Sequence, residues 1–268
     1  MAVLSGEPLL FQNVTVRYGN SHSAAVDNLT LEVGVGERVA LIGPSGAGKS
    51  TILRLAAGLT LPSSGVAKIF GVDSTQLGRR ANRDLRSRIG IISQDFALVG
   101  PLRVASNVAA GRLGAASWIR AVLSVVKPGP IEEIGRVLDS VGIADKIWDR
   151  ADQLSGGQQQ RTAIARTLFQ RPDLLLADEP VSALDPARSD SVMAVLANGE
   201  SRTGQNKAGE SEARRAMIAS MHDAPLALTH CDRIIGLRDG RVEFDKPSGE
   251  VTDDMLTALY LIEETVTG

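Results

Sequence analysis

The sequence predicts an α/β protein with a mainly parallel, three-layer core, and three observations carry that reading. Short apolar strands alternate with helical stretches, the pattern of a parallel sheet covered on both faces. A glycine-rich loop, residues 43–51, follows one such strand and opens a helix. Asp178 and Glu179 end another strand, Leu174–Ala177, and open α/β sheets bind their ligands beyond the carboxyl ends of the strands.

The elements follow in order. Leu9–Arg17 alternates apolar and polar residues as a strand does, and Asn28–Val33 and Arg38–Ile42 repeat the signal, with Gly34 and Gly36 as turn residues between them. From Lys49 the period changes: Ile52, Leu53, Leu55, Ala56 and Leu59 fall at helical spacing, and Gly58 stands where a C-terminal cap belongs. Leu61–Gly65 reads as a turn and Val66–Phe70 as a short strand. Asp84–Gly157 reads as an inserted helical lobe, its pieces joined by glycine and proline. Within it Ile131–Val141 sets Ile134, Val137, Leu138 and Val141 on one helical face. Strands resume at Leu174–Ala177, Met217–Met221, Ile234–Leu237 and Arg241–Phe244, and Asp239-Gly240 predicts a type I′ hairpin turn. Asn198–Arg215 is polar and glycine-rich and is expected to form a flexible surface loop.

Composition narrows the function. The 268 residues suffice for one large domain, or for a core with a smaller lobe. A net charge of −2 and 3% aromatic residues give neither the basic surplus nor the stacking surfaces of a nucleic-acid binder. Cys231 is the single cysteine, so no intrachain disulfide forms and a reducing compartment is expected. Met1–Leu10 lacks the basic flank and apolar core of a signal peptide, and no run approaches the ~18 apolar residues of a membrane span.

The loop Gly43-Pro44-Ser45-Gly46-Ala47-Gly48-Lys49-Ser50-Thr51 fits Gly-x4-Gly-Lys-Ser, a phosphate-binding loop. Glycines let backbone N–H groups turn inward around phosphates. Lys49 places a point charge on the β- and γ-phosphates, Ser50 offers a hydroxyl to Mg²⁺, and the helix start adds its positive dipole end. Asp178 is expected to hold Mg²⁺ through water, and Glu179 to polarise the attacking water as a general base. Alternatively, Asp178-Glu179-Pro180 caps the next helix, with Pro180 in its first turn. His222, after the apolar strand Met217–Met221, reaches the same rim, either to touch the γ-phosphate and hold Glu179 and the water, or as an ordinary polar strand end. Gln94 ends a strand before the helical lobe and offers an amide to Mg²⁺ or water. Tyr18 is either an adenine-stacking ring or packing. His230 and Cys231 have no companions at zinc spacing and read as structural. Leu154-Ser155-Gly156-Gly157-Gln158 is a second glycine-rich helix start, an anion site that one compact domain cannot bring to the same nucleotide. The three motifs together read as an ATPase that works as a dimer.

At Leu154–Arg161 the chain resembles the nucleotide-binding subunits of ABC transporters, a likeness that runs along essentially its whole length. The resemblance implies a P-loop NTPase (RecA-like) core, with an N-terminal antiparallel β subdomain and an inserted helical lobe. The divisions expected are 1–84 for the β subdomain and phosphate loop, 85–160 for the lobe, and 161–268 for the rest of the core. It implies that Ser155 and Gly157 bind the γ-phosphate of ATP held by a second copy, as an ATP-sandwich homodimer, with Gly156 in the same nucleotide-binding set. Ser182–Asp185 resembles the loop that crosses that dimer. Tyr18, Gln94 and His222 match the adenine-stacking, lobe-hinge and γ-phosphate-sensing positions. The partners implied are transmembrane permease subunits and, indirectly, a periplasmic or lipoprotein solute-binding protein. The expected location is peripheral, on the cytoplasmic face of the cell membrane. Residues 111–114, 150–153, 232–237 and 251–260 look like those of phosphonate importer ATPases, with phosphate, phosphite or another solute as alternatives. Two features depart from the pattern: Ser93 stands where an aromatic residue usually precedes the hinge glutamine, and the loop 198–215 is long.

Gln94–Leu102 and Trp118–Val126 are the candidate coupling face for the membrane subunits, although Trp118, Ile119, Val122 and Val126 serve equally as lobe core. A DNA- or ribosome-directed ABC ATPase usually carries two ATPase halves or coiled-coil insertions. A P-loop kinase has no use for the Ser155–Gln158 motif. A non-catalytic nucleotide sensor has no use for Glu179 and His222.

Overall fold

The computed structural model describes residues 7–19, 23–76, 79–115, 130–198 and 215–260. The stretch Trp118–Val126 and nearly all of the loop expected at Asn198–Arg215 lie outside them. The chain divides into two compact units: Met1–Gly78 with Leu176–Asp178 and Ala216–Gly268, and Arg79–Leu175 with Glu179–Arg215.

The first unit holds two sheets. Strands β1 (Leu9–Val16), β2 (Val26–Val33), β4 (Ser64–Ile69) and β5 (Val72–Asp73) form an antiparallel sheet in the order β2-β1-β4-β5. β1 is buried at Leu9, Phe11, Val14 and Val16, and Gly65, at φ +87, lies so close to β1 that a Cβ would strike the Asn13 backbone. The second sheet runs β10 (Arg241–Pro247), β9 (Arg233–Arg238), β3 (Arg38–Ile42), β8 (Ala216–Ser220) and then the last residues of β7 (Leu174–Asp178). β3 pairs in parallel with β8 (Leu41 opposite Ser220) and with β9 (Leu41 opposite Ile235), while β10 adds an antiparallel edge. β3 and β8 are apolar along their length because both flanks are covered. Asp239 and Gly240 both have positive φ, as a type I′ turn requires.

Helix Lys49–Ala56 packs on β8, Ala224–His230 on β3 and β9, and Asp253–Tyr260 on β9. The first of these ends in a complete Schellman motif: Leu59 N–H reaches the Arg54 carbonyl (2.9 Å) and Gly58 N–H the Leu55 carbonyl (3.0 Å), with Gly58 at φ +65.

The second unit is built around the helix Gly156–Gln170, against which Val104–Ala109, Ile131–Ser140 and β6 (Ile89–Ile92) pack. The expected amphipathic helix is there, and Ile134, Val137, Leu138 and Val141 are all buried. β6 lies beside the start of β7. Gly90 in β6 is required because a Cβ would press on Thr167 and Pro172.

One expectation needs correcting. Pro180 does not start a helix: after β7 the chain turns through residues 179–185, and the helix is Pro186–Asn198. The proline at its first position is Pro186, and the cap is Asp185, whose Oδ1 accepts from Arg188 N–H at 3.1 Å. At the far end Arg215 donates to the carbonyls of Val195 (3.0 Å) and Leu196 (3.3 Å), a cation where a helix C-terminus favours one.

Candidate nucleotide site

β3 leads into the loop, and the helix Lys49–Ala56 follows it. Gly43, at φ +144, lies where a Cβ would run into the Leu237 carbonyl, and Gly48, at φ +100, where it would stand 2.5 Å from the Ala25 carbonyl. Both positions demand glycine, so the loop curls tightly over β9 and β2. Gly48 occupies the N-cap position and brings no side-chain oxygen to the first turn of the helix, which keeps the dipole end open to an anion. Buried Lys49 donates to the carbonyls of Gly43 (2.5 Å) and Pro44 (2.9 Å), so its cation stands over its own loop.

Within the same unit Asp178 ends β7. Its Oδ1 accepts from Ser50 Oγ at 3.2 Å and from Ser220 Oγ at 2.5 Å. Ser220 is fully buried at the end of β8 and fixes the carboxylate from below. A hydroxyl and a carboxylate side by side are hard oxygen donors, the set that suits Mg²⁺ when phosphate oxygens and water supply the rest. Among the described residues no group of three or more His, Cys, Asp or Glu gathers that would hold a metal alone. His222 is exposed two residues beyond β8. Tyr18 is 47% exposed, with its hydroxyl 3.5 Å from Thr51 Oγ1. Tyr260, from the last described helix, accepts a hydrogen bond from Gly43 N–H at 3.2 Å. Burial pushes its phenol up, and the Gly43 bond works in the opposite direction.

The remaining predicted residues belong to the second unit. Gln94 Nε2 stands 3.5 Å from Glu179 Oε2. Glu179 has φ +51, a left-handed conformation that costs a non-glycine residue about 1–3 kcal/mol. Its carbonyl accepts from Ser182 N–H (3.3 Å), Ser182 Oγ (3.2 Å) and Gln160 Nε2 (3.3 Å), three donors that hold the strained turn. Ser93, the departure from the usual aromatic, bonds Asp95 (2.6 Å) and starts the turn that follows. Ser155 and Gln158 form a capping box, Ser155 N–H to Gln158 Oε1 at 2.9 Å and Gln158 N–H to Ser155 Oγ at 3.4 Å. Gly156 faces open space, whereas a Cβ on Gly157 would lie 3.2 Å from both Ala183 O and Leu184 Cδ2. Gly157 therefore packs directly beside the loop Ser182–Asp185.

Four residues escaped the sequence reading. Ser220, Tyr260, Gln160 and Arg166 all bond to backbone or side chains distant in sequence. Arg166 is half-buried, and desolvation lowers its pKa against the opposing pull of Asp95. Ser220 had a detectable signal, a hydroxyl closing an apolar strand; Gln160 and Tyr260 lie in stretches that carry the family resemblance without a role of their own, and Arg166 had no signal.

Comparison with known proteins gives the family. The Phosphonates import ATP-binding protein PhnC of Pseudomonas putida KT2440 is 43% identical over 240 residues, 90% of this chain and 86% of that protein. PhnC 1 of Pseudomonas syringae pv. syringae B728a is 45% identical, over 90% of this chain and 87% of that one. Among solved structures, a dimeric bacterial ABC transporter cassette matches with TM-score 0.73 and 29% identity, over 90% of this chain and 98% of that one. A dimeric post-hydrolysis cassette bound to ADP and Pi matches with TM-score 0.71 and 29% identity, at the same coverage. The model of the ABC transporter family matches residues 26–182, more than half of the chain, which therefore belongs to the ABC transporter family as one of its ATP-binding ATPases.

Proposed function

We propose that this chain is the ATP-hydrolysing subunit of an importer that carries phosphonates across the cytoplasmic membrane. The observation that carries the ATPase reading is the phosphate loop, with Ser50 and Asp178 joined at 3.2 Å beside Lys49. The phosphonate reading rests on relatives named for phosphonate import at 40–45% identity over about nine-tenths of the chain. Among the described residues no helix is long and apolar enough to cross a membrane, so attachment falls to permease subunits, with a solute-binding protein delivering the cargo to them.

In the proposed reaction Lys49 and the amides of residues 46–50 bind the triphosphate, and Tyr18 stacks on the base. Ser50 and Asp178 would hold Mg²⁺, which when bound would supply neutralisation of the charge on the triphosphate. Glu179 takes the proton of the attacking water, while Gln94 and His222 orient that water. Ser155 and Gly157 of a second copy bind the γ-phosphate from the opposite side, and Asp185 lies in the loop that crosses between the copies. Substituting Glu179 by Gln should lower turnover by on the order of 100-fold or more and trap an ATP-bound dimer, visible by light scattering. Unchanged turnover removes Glu179 as the base. For the cargo, the complex reconstituted with permease and binding protein should hydrolyse ATP faster with a short alkylphosphonate than with equal inorganic phosphate; the reverse order replaces phosphonate by phosphate.

A further inference from the structure

The helix Gly156–Gln170 carries two polar side chains that reach out of it to the segments bearing Glu179 and Gln94. Gln160, 1% exposed, donates from Nε2 to the Glu179 carbonyl (3.3 Å) and accepts at Oε1 from Ala183 N–H (3.2 Å). It thus clasps the turn after β7 at Glu179 and at Ala183. Less than two turns later Arg166 donates from Nη1 to the Ala97 carbonyl (2.6 Å) and from Nη2 to the Phe96 carbonyl (2.8 Å), just after Gln94.

The grasped segments are strained. Among the described residues of this unit four non-glycines have positive φ: Phe96 (+57), Ala97 (+46), Arg171 (+57) and Glu179 (+51). Three of them are those whose carbonyls Gln160 and Arg166 hold; the fourth ends the same helix. Left-handed conformations persist at such residues only where the surroundings over-determine them. Neither side chain is needed to form the helix, because each spends its polar atoms on another segment's backbone. A buried amide is expensive unless fully bonded, and a half-buried guanidinium gives up part of its hydration, so their placement serves the segments they grip.

We propose that Gln160 and Arg166 are positioning residues that fix the Glu179 carboxylate and the Gln94 amide to the helix capped by Ser155. The γ-phosphate that meets Ser155 and Gly157 belongs to ATP on the other copy's loop, while the helix is tied to its own copy's Glu179 and Gln94, so that closure of the dimer at one centre also sets the water-activating pair of the other. This inference rests on the ATPase reading above and deepens it.

The test uses the full chain with Gln160→Met, Arg166→Met and Arg166→Lys, beside Glu179→Gln. Binding of a fluorescent ATP analogue, kcat, KM and the unfolding midpoint are read for each. Gln160→Met and Arg166→Met should lose at least tenfold in kcat with analogue affinity changed less than twofold. Arg166→Lys, which keeps one donor, should recover part of that loss. Folded variants with wild-type kcat overturn the proposal. So does a fall in activity that only tracks the unfolded fraction. Should Gln160→Met fail to fold, the two Arg166 variants decide. If Glu179→Gln is inactive while the others turn over normally, only this inference fails; if Glu179→Gln is active, the assignment of the base fails first.

Discussion

Gly43 shows how little freedom single positions of this molecule have. A methyl at Gly43 meets the Leu237 carbonyl at a φ that other residues avoid, so Gly43→Ala should abolish binding of a fluorescent ATP analogue. Tyr260 steadies the same glycine from 217 residues away. Its bond is neutral and half-buried, worth about 1 kcal/mol, so Tyr260→Phe should weaken ATP binding about fivefold with kcat unchanged. Burial pushes the Cys231 thiol up to about 12, with Asp232 adding to the effect and Arg38 opposing it. The thiolate is the reactive form, so maleimide at pH 8 should label Cys231 only after denaturation. Residues recognisable from sequence were those whose neighbours in the chain explain them: Lys49 and Ser50 within their loop, Ser155 before its glycines. The contacts of Tyr260, Gln160 and Arg166 were not, because a polar residue in a helix carries no mark of the distant carbonyl or amide it will meet.

At the scale of elements, caps and turns obeyed local chemistry. Gly58 closes its helix, Asp239-Gly240 makes its hairpin, and Ser155 with Gln158 makes a capping box. Ser155→Ala should cost about 1 kcal/mol of stability, seen as a lower unfolding midpoint, and should depress hydrolysis far more than that loss explains. Helix Ile131–Ser140 is tied down by Glu133, which accepts from Arg112 (2.8 Å) and Arg171 (2.7 Å). The Arg112 bond first, then the charges of Arg112, Arg171 and Arg136, hold the Glu133 carboxyl below the ordinary carboxylate range. A depressed folded-state pKa stabilises above the unfolded value and loses that contribution as pH falls through the folded one. Glu133→Gln should therefore lower the unfolding midpoint at pH 7, by about 1 kcal/mol for a partly solvated pair, and the gap from wild type should close toward pH 3. The misplaced helix start at Pro180 has a simple origin. Two prolines, Pro180 and Pro186, offer the same local signal, and only the turn locked by Ser182 and Gln160 onto the Glu179 carbonyl selects the second.

At the scale of the whole molecule the proposed active centre requires two chains, which makes complementation the decisive measurement. Lys49→Ala disables the loop side and Gly157→Asp the Ser155 side, and each variant alone should be inactive. Mixed, they can form a heterodimer in which one centre draws an intact loop from one chain and an intact Ser155 motif from the other. ATP turnover should then appear on mixing. Silence in the mixture, with both variants folded and dimerising, argues against a shared centre.

By itself the sequence determined the α/β class, the phosphate loop, the β7 carboxylates and the Ser155 helix start. Each is written in contiguous residues whose backbone demands are local. Only the tertiary structure decided the strand order β10-β9-β3-β8, the seating of Asp178 on Ser220, the Tyr260 bond to Gly43 and the left-handed turn at Glu179. Those depend on contacts between residues tens to hundreds of positions apart, and no local periodicity encodes which distant partner a buried polar group will find.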